Sequence, residues 1–374
     1  VGYRERIRSF GFQEGHITYL QNGVPYTSLH NQIVNTESKC SDIVGQRSED
    51  HALEIIHHRQ SCDPLVGTLE GYWGTVFSDY PPDCFPRTAN PLYLPLPNAP
   101  NSRVLATEAL ARSNPSRPVV DTPVFLAEMR ELPDLFRIAG KTLLKKGANA
   151  YLSWNYGWKP LLSDLSNYLD FQAQVAKRED ELKRLYSNGG LKRRVTLDKA
   201  FVHKIDPNFW IQSQGAIVTG TASTTSKREI WATCRWLPDI GSVPNTDMTR
   251  HQLARNLVFG LQKPGLKTAW DALPWSWLID WGTTVGDFLA ANRNSVGAHH
   301  VGNINVMTRT VTRTEFSRTG GPAWLSGGNG FAEIETKSRA VETGPSLETN
   351  LTFLSNWQMS ILGAIGISRM RGRL

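Results

Sequence analysis

Between Ala272 and Leu289 the chain sets three tryptophans, Trp275, Trp277 and Trp281, around one acid, Asp280, with Asp287 farther along an otherwise largely apolar run. So much aromatic surface is costly to leave in water, so whatever fold this chain adopts must cover it. If the segment is one helix from Pro274, a first-turn proline loses no needed hydrogen bond. Trp277, Trp281, Thr284 and Phe288 then form one stripe at four-three-four spacing, with Asp280 beside it. An acid in that setting is either a core carboxylate held by neighbouring donors or a catalytic group. A lone acid favours the first.

The 374 residues suffice for two or three domains, or for an elongated body with several small cores. A formal charge of +7 points to a polyanionic partner, provided the charge is concentrated. The cysteines, Cys40, Cys62, Cys84 and Cys234, stand far apart and show neither zinc-ligand nor redox spacing. They allow disulfides without demanding them. No run is long and apolar enough to span a bilayer, and the first residues lack the apolar region of a secretory signal, so synthesis in a cytoplasm is expected.

Residues 1–118 mix short strand-like runs with turn signals such as Asn22-Gly23. The prolines at 81, 82, 91, 95, 97 and 100 make 81–118 an extended arm over a surface. From Asp121 a broken helical pair is predicted through Leu143, interrupted at Pro133. The clearest helix is Pro160–Ser187. Its seam of Leu161, Leu165, Tyr168, Gln172, Val175, Glu179, Leu182 and Tyr186 is interrupted by polar residues, which suits a bundle better than a long coiled coil. Residues 192–236 switch to period two and read as sheet. Helix is expected again over 249–262 and 274–291, strand over 303–318 and 330–342, and a short helix over 356–367.

The fold class expected is therefore α+β, an elongated molecule with a helical-bundle region and a sheet-rich region, each built from discontinuous segments. The β-rich region would comprise 1–118, 192–245 and 300–355, and the α-region 119–191, 246–299 and 356–374.

Signatures of chemistry are sparse. The glycine clusters at 320–321 and 327–330 lack the Walker lysine and read as hairpin turns. His57-His58 and His299-His300 are adjacent pairs whose side chains diverge, so no metal site is expected. No cofactor is signalled, no Ser or Cys nucleophile motif occurs, and no catalytic residue is assigned. Basic residues do cluster: Lys141, Lys145 and Lys146; Lys177, Arg178, Lys183 and Arg184, followed by Lys192, Arg193 and Arg194; and Arg369, Arg371 and Arg373. Each cluster is either a solvated face, paired locally with acids such as Glu179 and Asp180, or part of a phosphate-binding surface. Trp154 and Tyr156 are candidates for stacking on unpaired bases, although such residues are more often core.

Two segments carry a resemblance. Tyr151 to Leu165, with Trp154, Gly157, Trp158, Pro160 and Asp164, is similar to the aromatic-x-Gly-Trp-x-Pro-Leu-x-x-Asp signature of the maturation proteins of single-stranded RNA bacteriophages. Pro274 to Leu289, with Trp275, Trp277, Asp280, Trp281, Gly286 and Asp287, resembles the same family's second signature, and Val119–Pro133 fits upstream. The resemblance covers about 119–290. It implies one copy per virion, in contact with the coat-protein shell, gripping genomic RNA through a helical region and presenting a β-rich region to a host pilus. It places the motif residues in the packing seam of the helical core, leaving RNA contact to the basic clusters. The alternative from another class is a hydrolase of a polyanion or cell-wall polymer, using Asp280 or Asp287 with Glu128 or Glu131. A host scaffold protein without nucleic acid is the bland third possibility.

Overall fold

The computed structural model describes residues 2–21, 23–44, 50–63, 65–69, 75–80, 94–119, 151, 154–155, 170–187, 190–213, 216–242, 246–261, 265–271, 273, 276–348 and 356–369. Over these the chain is mixed helix and antiparallel sheet. It divides into two compact units: unit 1 is Val1–Ala99, Thr196–Trp231 and Asn305–Val341, and unit 2 is Pro100–Val195, Ala232–Ile304 and Glu342–Leu374.

The first 80 residues hold long strands where short ones were expected. β1 (Gly2–Gln21) and β2 (Val24–Val44) pair antiparallel from Gly2↔Val44 to Gln21↔Val24, with a register shift between Gly15 and His16, and Gly23 before β2 takes a positive φ of 77° that suits a tight connection. β3 (Leu53–Cys62), β4 (Leu65–Leu69) and β5 (Thr75–Tyr80) follow, then β6 (Leu191–Ser213), β7 (Ala216–Pro238), β8 (Ala298–His300), β9 (Ile304–Gly320), β10 (Leu325–Ser326) and β11 (Gly330–Glu342). The sheet order is β10-β4-β5-β1-β2-β3-β11-β9-β7-β6, with β8 pairing β7. β3 lies against β11 from Cys62↔Gly330 to Leu53↔Arg339, so the amino-terminal hairpin is joined to strands nearly 300 residues away.

In unit 1 the period-two pattern works as the sequence implies. Val218, Ala222, Thr224, Ser226 and Ile230 of β7 are buried, as are Thr314 and Phe316 of β9. The buried hydroxyls satisfy one another, Thr224 with Thr314 at 3.0 Å and Ser226 with Thr312 at 2.9 Å. The end of the proline-rich segment packs on this side: Ser226 donates to the Leu94 carbonyl at 3.2 Å, and Arg228 to the Pro97 carbonyl at 2.5 Å.

Unit 2 holds the helices of the described residues: α1 (Ser102–Ser113), α2 (Phe171–Tyr186), α3 (Asp247–Val258), α4 (Leu266–Asp271), α5 (Ser276–Gly282), α6 (Val285–Ala291) and α7 (Asn356–Arg369). α1 packs on α6, and α2 on α3. The predicted helix over 121–143 and residues 160–169 of that over 160–187 lie outside the described residues.

Three sequence expectations are corrected. First, the extended arm ends at Pro100. Asn101 accepts from the Arg103 amide and caps α1, whose Val104, Leu105, Ala106, Ala109, Leu110 and Ala111 are buried. No proline lies between Pro100 and Pro115, so nothing there forbids a helix. Second, the buried stripe of α2 is Val175, Arg178, Leu182 and Leu185, while Gln172 is exposed and Glu179 and Tyr186 are half-buried, because Arg178 finds partners inside. Third, 274–291 is not one helix. It breaks at Thr283–Thr284, where Thr284 donates its hydroxyl to the Ser346 carbonyl at 2.9 Å and its backbone amide to the Glu348 carbonyl at 3.1 Å, while its hydroxyl oxygen accepts from the Glu348 amide at 2.9 Å.

The chain just after α1 is the polar centre of unit 2. The buried Asn114 amide nitrogen donates to the carbonyls of Ala290, Ala291 and Arg293 at 3.0, 3.0 and 2.8 Å, closing the carboxyl end of α6, and its oxygen accepts from Ser116 at 2.8 Å. Ser116 accepts from the amides of Ser295 and Val296, Ser113 accepts from the Trp236 indole at 3.1 Å, and Arg193 donates to the Ser113 carbonyl at 3.0 Å. Replacing Asn114 by Ala orphans these groups in the interior. We expect Asn114→Ala to cost about 3 kcal/mol in denaturant unfolding, against a loss within experimental error for alanine at the exposed Arg112.

Candidate functional site

Around the tryptophan-rich segment the structure gives Asp280 a defined role. Its Oδ1 accepts from the Gly286 backbone amide at 2.9 Å, and its Oδ2 accepts from the Trp270 indole at 3.1 Å. Gly286 lies in the first turn of α6, so the carboxylate at the end of α5 caps the next helix across the Thr283–Thr284 break. A Cβ on Gly286 would stand 2.9 Å from the Asp280 Cγ and closer still to Oδ2, so only glycine lets the carboxylate approach. The aromatic neighbourhood is also real: Trp281 lies 6.0 Å from Trp357 of α7, ring to ring.

Asp287, one residue further along α6, is half-buried. Burial raises its carboxyl above the ordinary 3.8, a rise that Asp280 adds to and Lys267, Arg112 and Arg117 oppose. A hydrolytic pair would need a second acid poised beside Asp280, but both Asp280 oxygens already hold donors. Glu128 and Glu131, the partners such chemistry would call on, lie outside the described residues.

The other motif positions divide. Trp154 is 55 % exposed. Trp281 is half-buried and Gly286 buried. Trp277 lies in α5, and its side chain is not described; Gly157, Trp158, Pro160, Asp164, Pro274, Trp275 and Tyr156 are outside the described residues.

The basic cluster of 177–194 separates into inward and outward cations. Arg178 is withdrawn into unit 2, donating to Glu181 at 2.7 Å and to the Arg117 carbonyl at 2.5 Å, and burial lowers its otherwise very high pKa. Arg193 meets the same Glu181 at 2.6 Å. This pair of guanidiniums around one carboxylate is structural. Lys177, Lys183, Arg184, Lys192 and Arg194 are exposed. Lys183 pairs with Glu179 at 3.8 Å, and Arg184 with Asp180, both along the helix surface where such pairs stabilise little and exchange readily. Lys141, Lys145, Lys146, Arg371 and Arg373 are outside the described residues, and Arg369 closes α7 with its side chain undescribed.

Sequence reasoning missed Asn114 and Ser116, and it placed Thr284 on the aromatic stripe where the structure puts it at a helix break. The available signal was Asn-Pro-Ser at 114–116 directly after an alanine-rich stretch, a helix stop whose side chain could serve a second helix. His57 bonds the Ser38 hydroxyl at 2.8 Å while His58 is buried, and among the described residues no three metal-binding side chains converge. Cys40, Cys62 and Cys234 are free thiols, and burial pushes Cys62 up to about 12. No described helix is long and apolar enough to cross a membrane.

The described chain thus combines a discontinuous helical unit held by internal polar bonds with a large antiparallel sheet. The model of the phage maturation protein family matches residues 128–317, just over half of the chain and including the Asp280–Gly286 contact, and the chain belongs to that family. It is accordingly a virion component. No curated protein matches it.

Two outcomes test the geometry. Asn at 280 must turn an NH2 toward one of two donors, so Asp280→Asn and Gly286→Ala should each lower stability by about 1–3 kcal/mol in denaturant unfolding. Unchanged stability in both would refute the capping role. For Asp287 the folded state binds its proton more tightly than the unfolded state, so this residue's effect on stability falls as pH rises above the ordinary carboxylate value. Asp287→Asn should therefore raise the melting temperature near neutrality, with the gain vanishing at pH values below the ordinary 3.8.

Proposed function

We propose that this maturation protein binds the single-stranded genomic RNA of its phage through unit 2 and attaches the virion to a host pilus through unit 1. It would act as one copy within the coat-protein shell, after synthesis in the host cytoplasm, and carry out no covalent chemistry. The observation that carries the RNA part is the sorting of charge on α2 and the start of β6. Arg178 and Arg193 are consumed internally, while Lys177, Lys183, Arg184, Lys192 and Arg194 remain at the surface. Lys177 and Arg184 lie seven residues apart, two helical turns along one face, so both can meet the same phosphate backbone. The exposed Trp154 supplies a ring on which an unpaired base can stack. Arg369, Arg371 and Arg373, with Lys141, Lys145 and Lys146, are proposed as further phosphate contacts. Hydrolysis by Asp280 is disfavoured by its two structural hydrogen bonds.

The test is binding of the purified protein to the 3′ portion of its phage genome and to a scrambled RNA of equal length, across a salt series. Selective binding that survives moderate salt is expected. Glu at Lys177, Lys183, Arg184, Lys192 and Arg194 should weaken it, each lost phosphate contact flattening the salt slope by about 0.7. Equal, salt-labile binding to both RNAs would overturn the reading.

A further inference from the structure

In unit 1 one face of the sheet is closed and the other open. β7 buries Thr224 and Ser226, while the neighbouring Lys227 points to solvent and lies 5.6 Å from the centre of the Phe201 ring, itself 61 % exposed on β6. A groove of about 510 Å3 opens here, lined by Lys199, Phe201, Lys227, Glu229, Arg309 and Val311. Further across the face the guanidinium of Arg313 stacks 4.3 Å from the centre of the Phe331 ring. An exposed ring beside exposed cations is costly for a surface with no partner, and aromatic and arginine side chains are those that dominate binding energy when desolvated.

The charge pattern says what kind of partner fits. Lys199, Lys227, Arg309, Arg313, Arg59 and Lys337 are six cations interleaved with four carboxylates, Glu229, Glu315, Glu333 and Glu335. Glu335 is almost fully buried among them, held below its ordinary pKa by Arg309 and Lys337 against the opposing effect of burial. Six cations against four acids leave a small positive surplus around the exposed ring of Phe201. A protein surface with discrete carboxylates needs only the surplus positive charge and the rings.

We propose that this open face around Phe201 docks a carboxylate-presenting protein surface, which, on the attachment reading it rests on, belongs to the host pilus. Lys199 and Lys227 meet the partner's acids, Phe201 packs at the centre, and the Arg309–Glu335 network holds the floor rigid.

The test uses the full chain and two probes, poly-L-glutamate and poly(U), each across a salt series. Particles carrying the same variants are measured for adsorption to piliated and pilus-free host cells. Lys199 and Lys227 are exposed and off the buried network, so Lys199→Glu/Lys227→Glu should fold. It should weaken polyglutamate binding roughly tenfold and cut adsorption to piliated cells, leaving poly(U) binding unchanged. Phe201→Ser should reduce adsorption without altering the salt dependence. Wild-type polyglutamate binding and adsorption in both variants would overturn the proposal, as would loss of poly(U) binding alone, which would make the face an RNA site. Wild-type particles that adsorb equally to pilus-free cells would instead overturn the attachment reading and the pilus as partner, a result the polyglutamate arm does not depend on.

Discussion

The helical unit depends on one buried side-chain amide. Asn114 closes the carboxyl end of α6 with three donated bonds while anchoring its own turn through Ser116, so two segments nearly 180 residues apart become a single polar joint. Ser113, Ser116 and Arg117 extend that joint to Trp236, to the 295–296 turn and to Arg178. Apolar burial supplies most of the stability of such a unit, at roughly 1.5–3 kcal/mol for a fully buried Leu, but it has no direction. The joint supplies register, because an unpaired amide or carbonyl at these positions costs as much as a lost core side chain.

The same logic explains the family signature around Asp280. A helix through all of 274–291 would satisfy the tryptophans, but it would leave Thr284 and the 346–348 segment without their mutual bonds. The break exposes the amide end of α6, and Asp280 fills it. Gly286 is small so that the carboxylate can reach, and Asp-Trp followed by Gly-Asp is then a description of one cap. Asp287 bears a cost in the same place, a carboxyl held partly away from water beside another acid.

Charge follows a related division. The formal excess of +7 is small, and part of the cationic inventory, Arg178 and Arg193 around Glu181 and Arg228 on Asp198, is internal structure. What remains at the surface is accordingly more local than the totals suggest: lysines and arginines along α2 and β6 in one unit, and a cationic-aromatic sheet face in the other. Each belongs to a different unit of a chain whose segments alternate between the two.

By itself the sequence determined where helix and strand recur. Period-two runs over 192–236, 303–318 and 330–342 became strands, and the caps and apolar spacing near 249–262 and 356–367 became helices, because those signals are local. The family was legible too, since Trp-rich motifs in fixed order are rare. The tertiary structure alone decided the rest. It turned 102–113 into a buried helix, rotated the seam of α2 toward Arg178, split 274–291 in two, and chose which cations face inward. Each of those outcomes depends on a partner more than 50 residues away, the Arg117 carbonyl for Arg178, Ser346 and Glu348 for Thr284, and the end of α6 for Asn114. Periodicity measures only what neighbours in the chain prefer, and a hydrogen bond to a distant carbonyl outweighs the fraction of a kcal/mol that such preferences are worth.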